Sequence, residues 1–301
     1  MRLFPGVSAL VLAAAAAGCA SPDPGGFRGP DGALVVPLHE GPRNVFAFDL
    51  WIGPEAIKAR FLLDTGSSFT AVSPHLASEA DPRGVRRPVL VEGVHESRTQ
   101  EVFGGVARFA FRPSGGRAFE SPDRAFWELA IPHGHDGLAG LSAFPGRLVV
   151  LDLPAGVVVV RDGRLPAPDG RACLPLRIEN GVPSVRVDAA GVVVDAAVDT
   201  GFFGTLFVPP GVAAQLPLAE QPSGTVRVRD VHGDRVLEER RLLGTLRIGD
   251  RILYDTRVLV GPGEPLLGVG ALRGMRVTFD LAGSCALFED AAPASARATV
   301  P

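Results

Sequence analysis

The triplet Asp-Thr-Gly occurs twice in this chain, at Asp64-Thr65-Gly66 and Asp199-Thr200-Gly201, each time after a short apolar run, Phe61-Leu62-Leu63 and Ala196-Ala197-Val198. A carboxylate at the end of a buried strand, a hydroxyl beside it and a glycine to turn the chain form a compact acid-base unit. Two copies predict one site built from two halves, with Asp64 and Asp199 facing each other across a water molecule. At average residue usage a lone Asp-Thr-Gly arises by chance in roughly one chain of this size in ten to twenty, so the argument rests on the second copy and on what repeats around it.

Much else repeats. Val36-Pro37-Leu38 answers Leu174-Pro175-Leu176, and Val94-His95 answers Val231-His232 in polar, turn-like segments. Gly137-Leu138-Ala139-Gly140 answers Leu266-Leu267-Gly268, and each is followed at the same spacing by an apolar run holding one aspartate, Asp152 or Asp280. The period is too long for a solenoid and reads as one duplicated architecture. The repeats predict an N-terminal lobe over 33–160 and a C-terminal lobe over 173–289, joined by the polar linker 161–172. A disordered Ala/Pro-rich tail is expected over 290–301.

The 37 glycines and 27 prolines spread over 301 residues favour many short strands over long helices. Strands are expected over 45–52, 61–63, 102–111, 148–153 and 157–160, with counterparts in the second half. Ser73-Pro74 sets a hydroxyl at an N-cap and proline at the first helical position, predicting a short helix to about Ala80. The fold class is therefore all-β. A net charge of -3 with no Lys/Arg cluster interleaved with aromatics excludes a nucleic-acid footprint. His133-Gly134-His135-Asp136 lacks a further ligand cluster at metal-binding spacing, so no metal is assigned. There is no Gly-x-Ser-x-Gly elbow.

The N-terminus reads as a targeting segment. Arg2 is a minimal positive start, and the apolar stretch after it is too short to span a bilayer, so 1–18 is a signal peptide. It ends in Ala16-Ala17-Gly18-Cys19, which resembles a bacterial lipobox and implies Cys19 as the lipidated first residue of the mature chain, with ordinary cleavage after the alanine pair as the alternative and 19–32 as a Pro/Gly-rich tether. The expected location is the bacterial envelope, in the periplasm or at the outer membrane, with secretion as the alternative. Cys173 and Cys285 remain, either as a disulfide that an exported compartment permits or as two buried thiols.

Taken together, Phe61 to Ser68, Ala197 to Gly201 and the two apolar-apolar-glycine elements resemble the aspartic peptidases of the pepsin and retropepsin type. The resemblance covers nearly the whole mature chain. It implies two retropepsin-like lobes related by a pseudo-two-fold axis with a cleft between them. It also implies Asp64 and Asp199 as the catalytic dyad, and Thr65, Gly66, Ser67, Thr200 and Gly201 as supporting loop residues. The implied activity is peptide-bond hydrolysis by a monomer acting on a peptide or protein substrate, without metal or organic cofactor. The family closes a β-hairpin flap over its substrate; the flap tips here would be Glu92 to Ser97 and Asp230 to Asp234, with His95 and His232 reaching the cleft. The copies differ after the glycine. Ser67 offers a hydroxyl to orient its carboxylate, whereas Phe202 cannot donate and is expected to crowd the cleft. That difference motivates the alternative, a weak or inactive peptide-binding module on the same fold.

Overall fold

Short apolar runs closed by glycine, proline and aspartate leave little room for helix, and the chain folds almost entirely as β-structure. The computed structural model describes residues 33–41, 45–92, 97–111, 119–120, 124–131, 134–144, 146–230 and 233–290. Two ten-stranded sheets and one six-stranded sheet account for its strands.

The first large sheet runs Val85–Glu92, Ser97–Ala107, Arg124–Glu128, Thr70–Val72, Gly137–Ala139, Ile57–Leu63, Phe46–Ile52, Phe109–Phe111 and Phe119–Glu120, with His39–Glu40 beside Phe46–Ile52. The second runs Gly224–Asp230, Gly233–Arg241, Arg257–Val260, Leu206–Val208, Leu266–Gly268, Val192–Asp199, Val182–Ala189, Leu246–Ile248 and Arg251–Leu253, with Arg177–Glu179 beside Val182–Ala189. Position by position the order is the same, so the duplication extends well beyond the motifs. In each sheet the strand leading to Asp-Thr-Gly lies parallel to the apolar-apolar-glycine strand: Leu63 is opposite Ala139, and Asp199 is opposite Gly268. A parallel pair this deep in a sheet is covered on both faces, which is why these strands read as unbroken apolar runs. Leu63, Val198 and Leu267 are fully buried.

The six-stranded sheet belongs to both halves. Its order is Leu34–Pro37, Val157–Arg161, Leu148–Asp152, Met275–Asp280, Cys285–Asp290 and Cys173–Pro175. The first and last segments of each repeat thus leave their own large sheet and pair with each other, and the two sets join where Leu148 to Asp152 lie opposite Asp280 to Arg276. One apolar core runs through the molecule by way of this sheet, including Phe48, Phe61 and Phe144 on one side and Phe279, Val277 and Leu246 on the other. Each large side chain buried in it contributes about 1.5–3 kcal/mol relative to exposure.

The two repeated aspartates belong to this junction. Asp152 accepts the Ala155 N–H across a tight turn and binds Arg276, its directly opposite neighbour, at 2.8 Å. Asp280 accepts from Gly283 N and from Leu165 N in the linker. Both are buried and structural.

The helix spans Pro74–Ala80 and turns Leu76, Ala77 and Ala80 inward. Ser73 occupies its N-cap, but the hydroxyl does not cap. It meets His75 Nδ1 at 2.9 Å, while His75 Nε2 lies 3.3 Å from Asp136. In the second half Pro209-Pro210 opens only a single turn, Pro210–Ala213. Among the described residues no helix is long and apolar enough to cross a membrane. Cys19 and residues 1–18 lie outside them, as do residues from 291 on; the last strand extends through Asp290. Cys173 and Cys285 form a disulfide with a Cα–Cα distance of 6.3 Å, tying the three-residue edge strand to its neighbour.

Candidate active site

Where the two parallel strand pairs end, the Asp-Thr-Gly loops of the two halves meet. Thr65 and Thr200 are fully buried between them and bonded reciprocally. Each N–H donates to the other's Oγ1, at 3.1 Å from Thr65 and 3.0 Å from Thr200. Each hydroxyl donates to the carbonyl preceding the other half's aspartate, Thr65 to Val198 O at 2.6 Å and Thr200 to Leu63 O at 2.7 Å. Four bonds among groups that cannot reach water fix the distance between the loops.

The glycines set that distance from the other side. A Cβ on Gly66 would lie 2.6 Å from the Asp199 Cγ, and one on Gly201 would lie 3.0 Å from the Asp64 Cγ. Each glycine therefore presses on the carboxylate of the opposite half. Gly140 and Gly268 play a similar part below the loops: a Cβ on the first would collide with Ser67 O, and on the second with Gly204 O and the Phe202 ring.

Asp64 and Asp199 are hydrogen-bonded to each other through their side chains. The Asp199 Oδ1 also accepts Gly201 N at 2.7 Å and Phe202 N at 3.2 Å. The Asp64 carboxylate accepts the matching amides, Gly66 and Ser67. Burial pushes the Asp64 carboxyl well above the ordinary carboxylate range, and the neighbouring Asp199 charge pushes it further. Burial also raises Asp199, but its loop amides and its bond from Asp64 oppose the rise. Two buried carboxyls this close cannot both ionise easily, so the pair shares a proton; this sharing is the behaviour generally established for aspartic-protease dyads.

Two expectations about the loops are corrected. Ser67 does not orient Asp64 through its hydroxyl; Oγ donates to Phe69 O at 2.9 Å, and the carboxylate is held by main-chain amides instead. Equivalent amides serve Asp199, so the missing hydroxyl at 202 removes no contact that the first loop makes to its aspartate. Nor does Phe202 crowd the cleft. Its ring is 9% exposed and turns into the C-terminal lobe, 6.2 Å from the Phe207 ring and against Gly204 and Gly268.

Phe203 is the residue that sequence reasoning missed. It is half-buried and packs on an apolar cluster in each lobe. Its signal was the Phe-Phe adjacency itself, because neighbouring residues at a loop cannot both point into the same core. His95 and His232 lie outside the described residues, but the hairpins that carry them are present: Glu92 pairs with Ser97, and Asp230 with Gly233. His133 is likewise outside, and among the described residues no group of three or more His, Cys, Asp or Glu is gathered to hold a metal ion.

These features define a two-lobed all-β protein with a paired-carboxylate site where its lobes meet. Two solved structures share that architecture. Basic 7S globulin from soybean is 16% identical, with 88% of this chain and 97% of that one covered and a TM-score of 0.53. Conglutin gamma, a basic 7S globulin from lupine seeds, is 13% identical, with 86% and 95% covered and the same TM-score of 0.53. Theirs is a fold structurally related to that of pepsin-like aspartic proteases. No protein-family model matches the chain, and no curated protein does.

Proposed function

We propose that this chain is an aspartic-type endopeptidase that hydrolyses peptide bonds with a water activated by Asp64 and Asp199. The observation that carries the reading is the facing, buried carboxyl pair, held between reciprocal threonines and facing glycines. The ionised partner of the pair takes a proton from the water as it attacks the scissile carbonyl. The protonated partner donates to the carbonyl oxygen and stabilises the charge that develops there. Collapse of the tetrahedral intermediate returns a proton to the leaving amine. The protein works as an exported, lipid-anchored monomer on peptide or protein substrates in the bacterial envelope.

A second reading is a peptide-binding module that keeps the cleft without efficient hydrolysis. One observation favours it: Phe203 packs on an apolar cluster in each lobe where the first loop carries Ser68.

Incubation with an unfolded protein substrate across acid to neutral pH tests the first reading. Asp64→Asn and Asp199→Asn should each abolish cleavage while remaining folded, and an Asp199→Asn protein as active as wild type would sink it. A peptide mimic bearing a tetrahedral hydroxyl should bind at least about a hundredfold more tightly than the corresponding amide. Equal affinity supports the binding module.

A further inference from the structure

The two lobes present equivalent apolar pads beside the dyad. In the N-terminal lobe Leu62, two residues before Asp64, pairs with Leu138, which in turn pairs with Ala71; Val102 joins them from the hairpin Val85–Glu92 and Ser97–Ala107. In the C-terminal lobe Ala197, two residues before Asp199, pairs with Leu266, which pairs with Phe207; Val228 and Leu237 join from the hairpin Gly224–Asp230 and Gly233–Arg241. Register, distance from the aspartate and hairpin cover all correspond, so these are the same surface in two copies.

Their occupancy differs. Phe202 fills the C-terminal pad from within its own lobe. Phe203, with its ring 5.7 Å from that of Phe202, lies against both pads and thus crosses between lobes. In the first loop the corresponding residues are Ser67 and Ser68, whose side chains are too short to reach an opposite pad. Phe203 is therefore the residue of the C-terminal loop that reaches the N-terminal surface, which Phe69, Trp127 and Ile131 cover from their own lobe.

We infer that Phe203 is a specificity-determining residue, which by lying on the N-terminal pad restricts that side of the scissile bond to a small residue such as Gly, Ala or Ser. This rests on the peptidase reading for its site. A bulky apolar substrate side chain must displace a ring that already packs there, so it loses part of the burial that would otherwise favour it. A small side chain leaves the ring in place and loses nothing. Removing the ring exposes the pad and turns the preference over.

The test is a binding measurement, so it does not depend on turnover. Four peptides carrying a tetrahedral hydroxyl at the scissile position, with Ala or Phe first on one side of it and then on the other, and their plain amide counterparts, are titrated into wild-type protein, Phe203→Ala and Phe203→Leu. Wild type should favour Ala over Phe on one side by at least about tenfold. Phe203→Ala should reverse that ratio, chiefly by gaining affinity for the Phe peptide, and Phe203→Leu should fall between. Thermal unfolding of both variants shows which are folded, with the leucine variant retaining most of the packing. The same Ala-to-Phe ratio in wild type and in the folded variants, or no binding of any peptide, overturns the inference. If the ratio shifts as expected but hydroxyl and amide peptides bind alike, the role of Phe203 stands and the peptidase reading falls.

Discussion

Thr65 and Thr200 each donate and accept across the junction of the two lobes, so each hydroxyl serves one backbone carbonyl and one backbone amide of the opposite half. Thr200→Val keeps the shape and removes the hydroxyl, leaving Leu63 O and Thr65 N buried without partners. The cost should be about 2–5 kcal/mol, seen as a lower urea midpoint at an unchanged slope. Thr200→Ser keeps the hydroxyl and should recover most of the loss. A valine variant as stable as wild type would show that the contact does not hold the loops together.

The dyad makes its own contribution to the pH dependence of stability. Asp64 is raised in the folded state, so its stabilising contribution is fully present below the carboxyl pKa of the unfolded chain and is lost as pH rises through the folded value. Asp64→Asn removes that loss. Relative to wild type it should unfold at higher temperature near neutral pH, and the advantage should shrink on acidification. Asp49 and Asp81 are lowered and slope the other way in both proteins, so the difference between the two melting curves isolates the dyad.

Gly66→Ala places a methyl where only 2.6 Å separates it from the Asp199 carboxyl carbon. Asp199 is buried and anchored by two loop amides, so it cannot swing aside freely. We expect a loss of about 1–3 kcal/mol from overpacking, together with loss of cleavage. As the carboxyls separate, the pKa of Asp64 should move back toward the ordinary range. Its titration, followed by NMR, reports this directly; an unchanged midpoint contradicts the facing-glycine geometry.

The disulfide closes a loop with a sequence separation of 112 and secures an edge strand of only three residues. Replacing Cys173 and Cys285 by serine together should cost about 3–5 kcal/mol in urea unfolding, and reductant should weaken wild type by the same amount while leaving the double variant unaffected. A wild type that is insensitive to reductant overturns the pairing.

Much of this was legible in the chain. The strands that end at Asp64 and Asp199 announce themselves as apolar runs stopped by a polar triplet, because a strand covered on both faces admits little else. Matched spacing between Gly140 and Asp152, and between Gly268 and Asp280, revealed the duplication. The helix from Pro74 was visible in its opening Ser-Pro, although Ser73 gives its hydroxyl to His75. The comparison of the two loops also marked where they differ, at Ser67-Ser68 and Phe202-Phe203. It assigned the wrong consequences to that difference, because the same hydroxyl or ring can turn several ways within one loop.

Local pattern reports which residues are apolar, where strands stop and which segments repeat, since those follow from side-chain chemistry and backbone preference over a few neighbours. It cannot report which strands of one repeat pair with the other. Strands Leu34–Pro37 and Cys173–Pro175 look like ordinary first strands of their lobes, yet both lie at the outer edges of a sheet shared between halves. Nor can it show that Gly66 lies against Asp199, or that Phe203 crosses to Leu62 and its neighbours while Phe202 stays home. Those relations join residues more than a hundred positions apart, and they exist only once the two halves dock and exclude water between them. The chain carries the two carboxylates; the docking of the lobes raises their pKa and binds them into a pair.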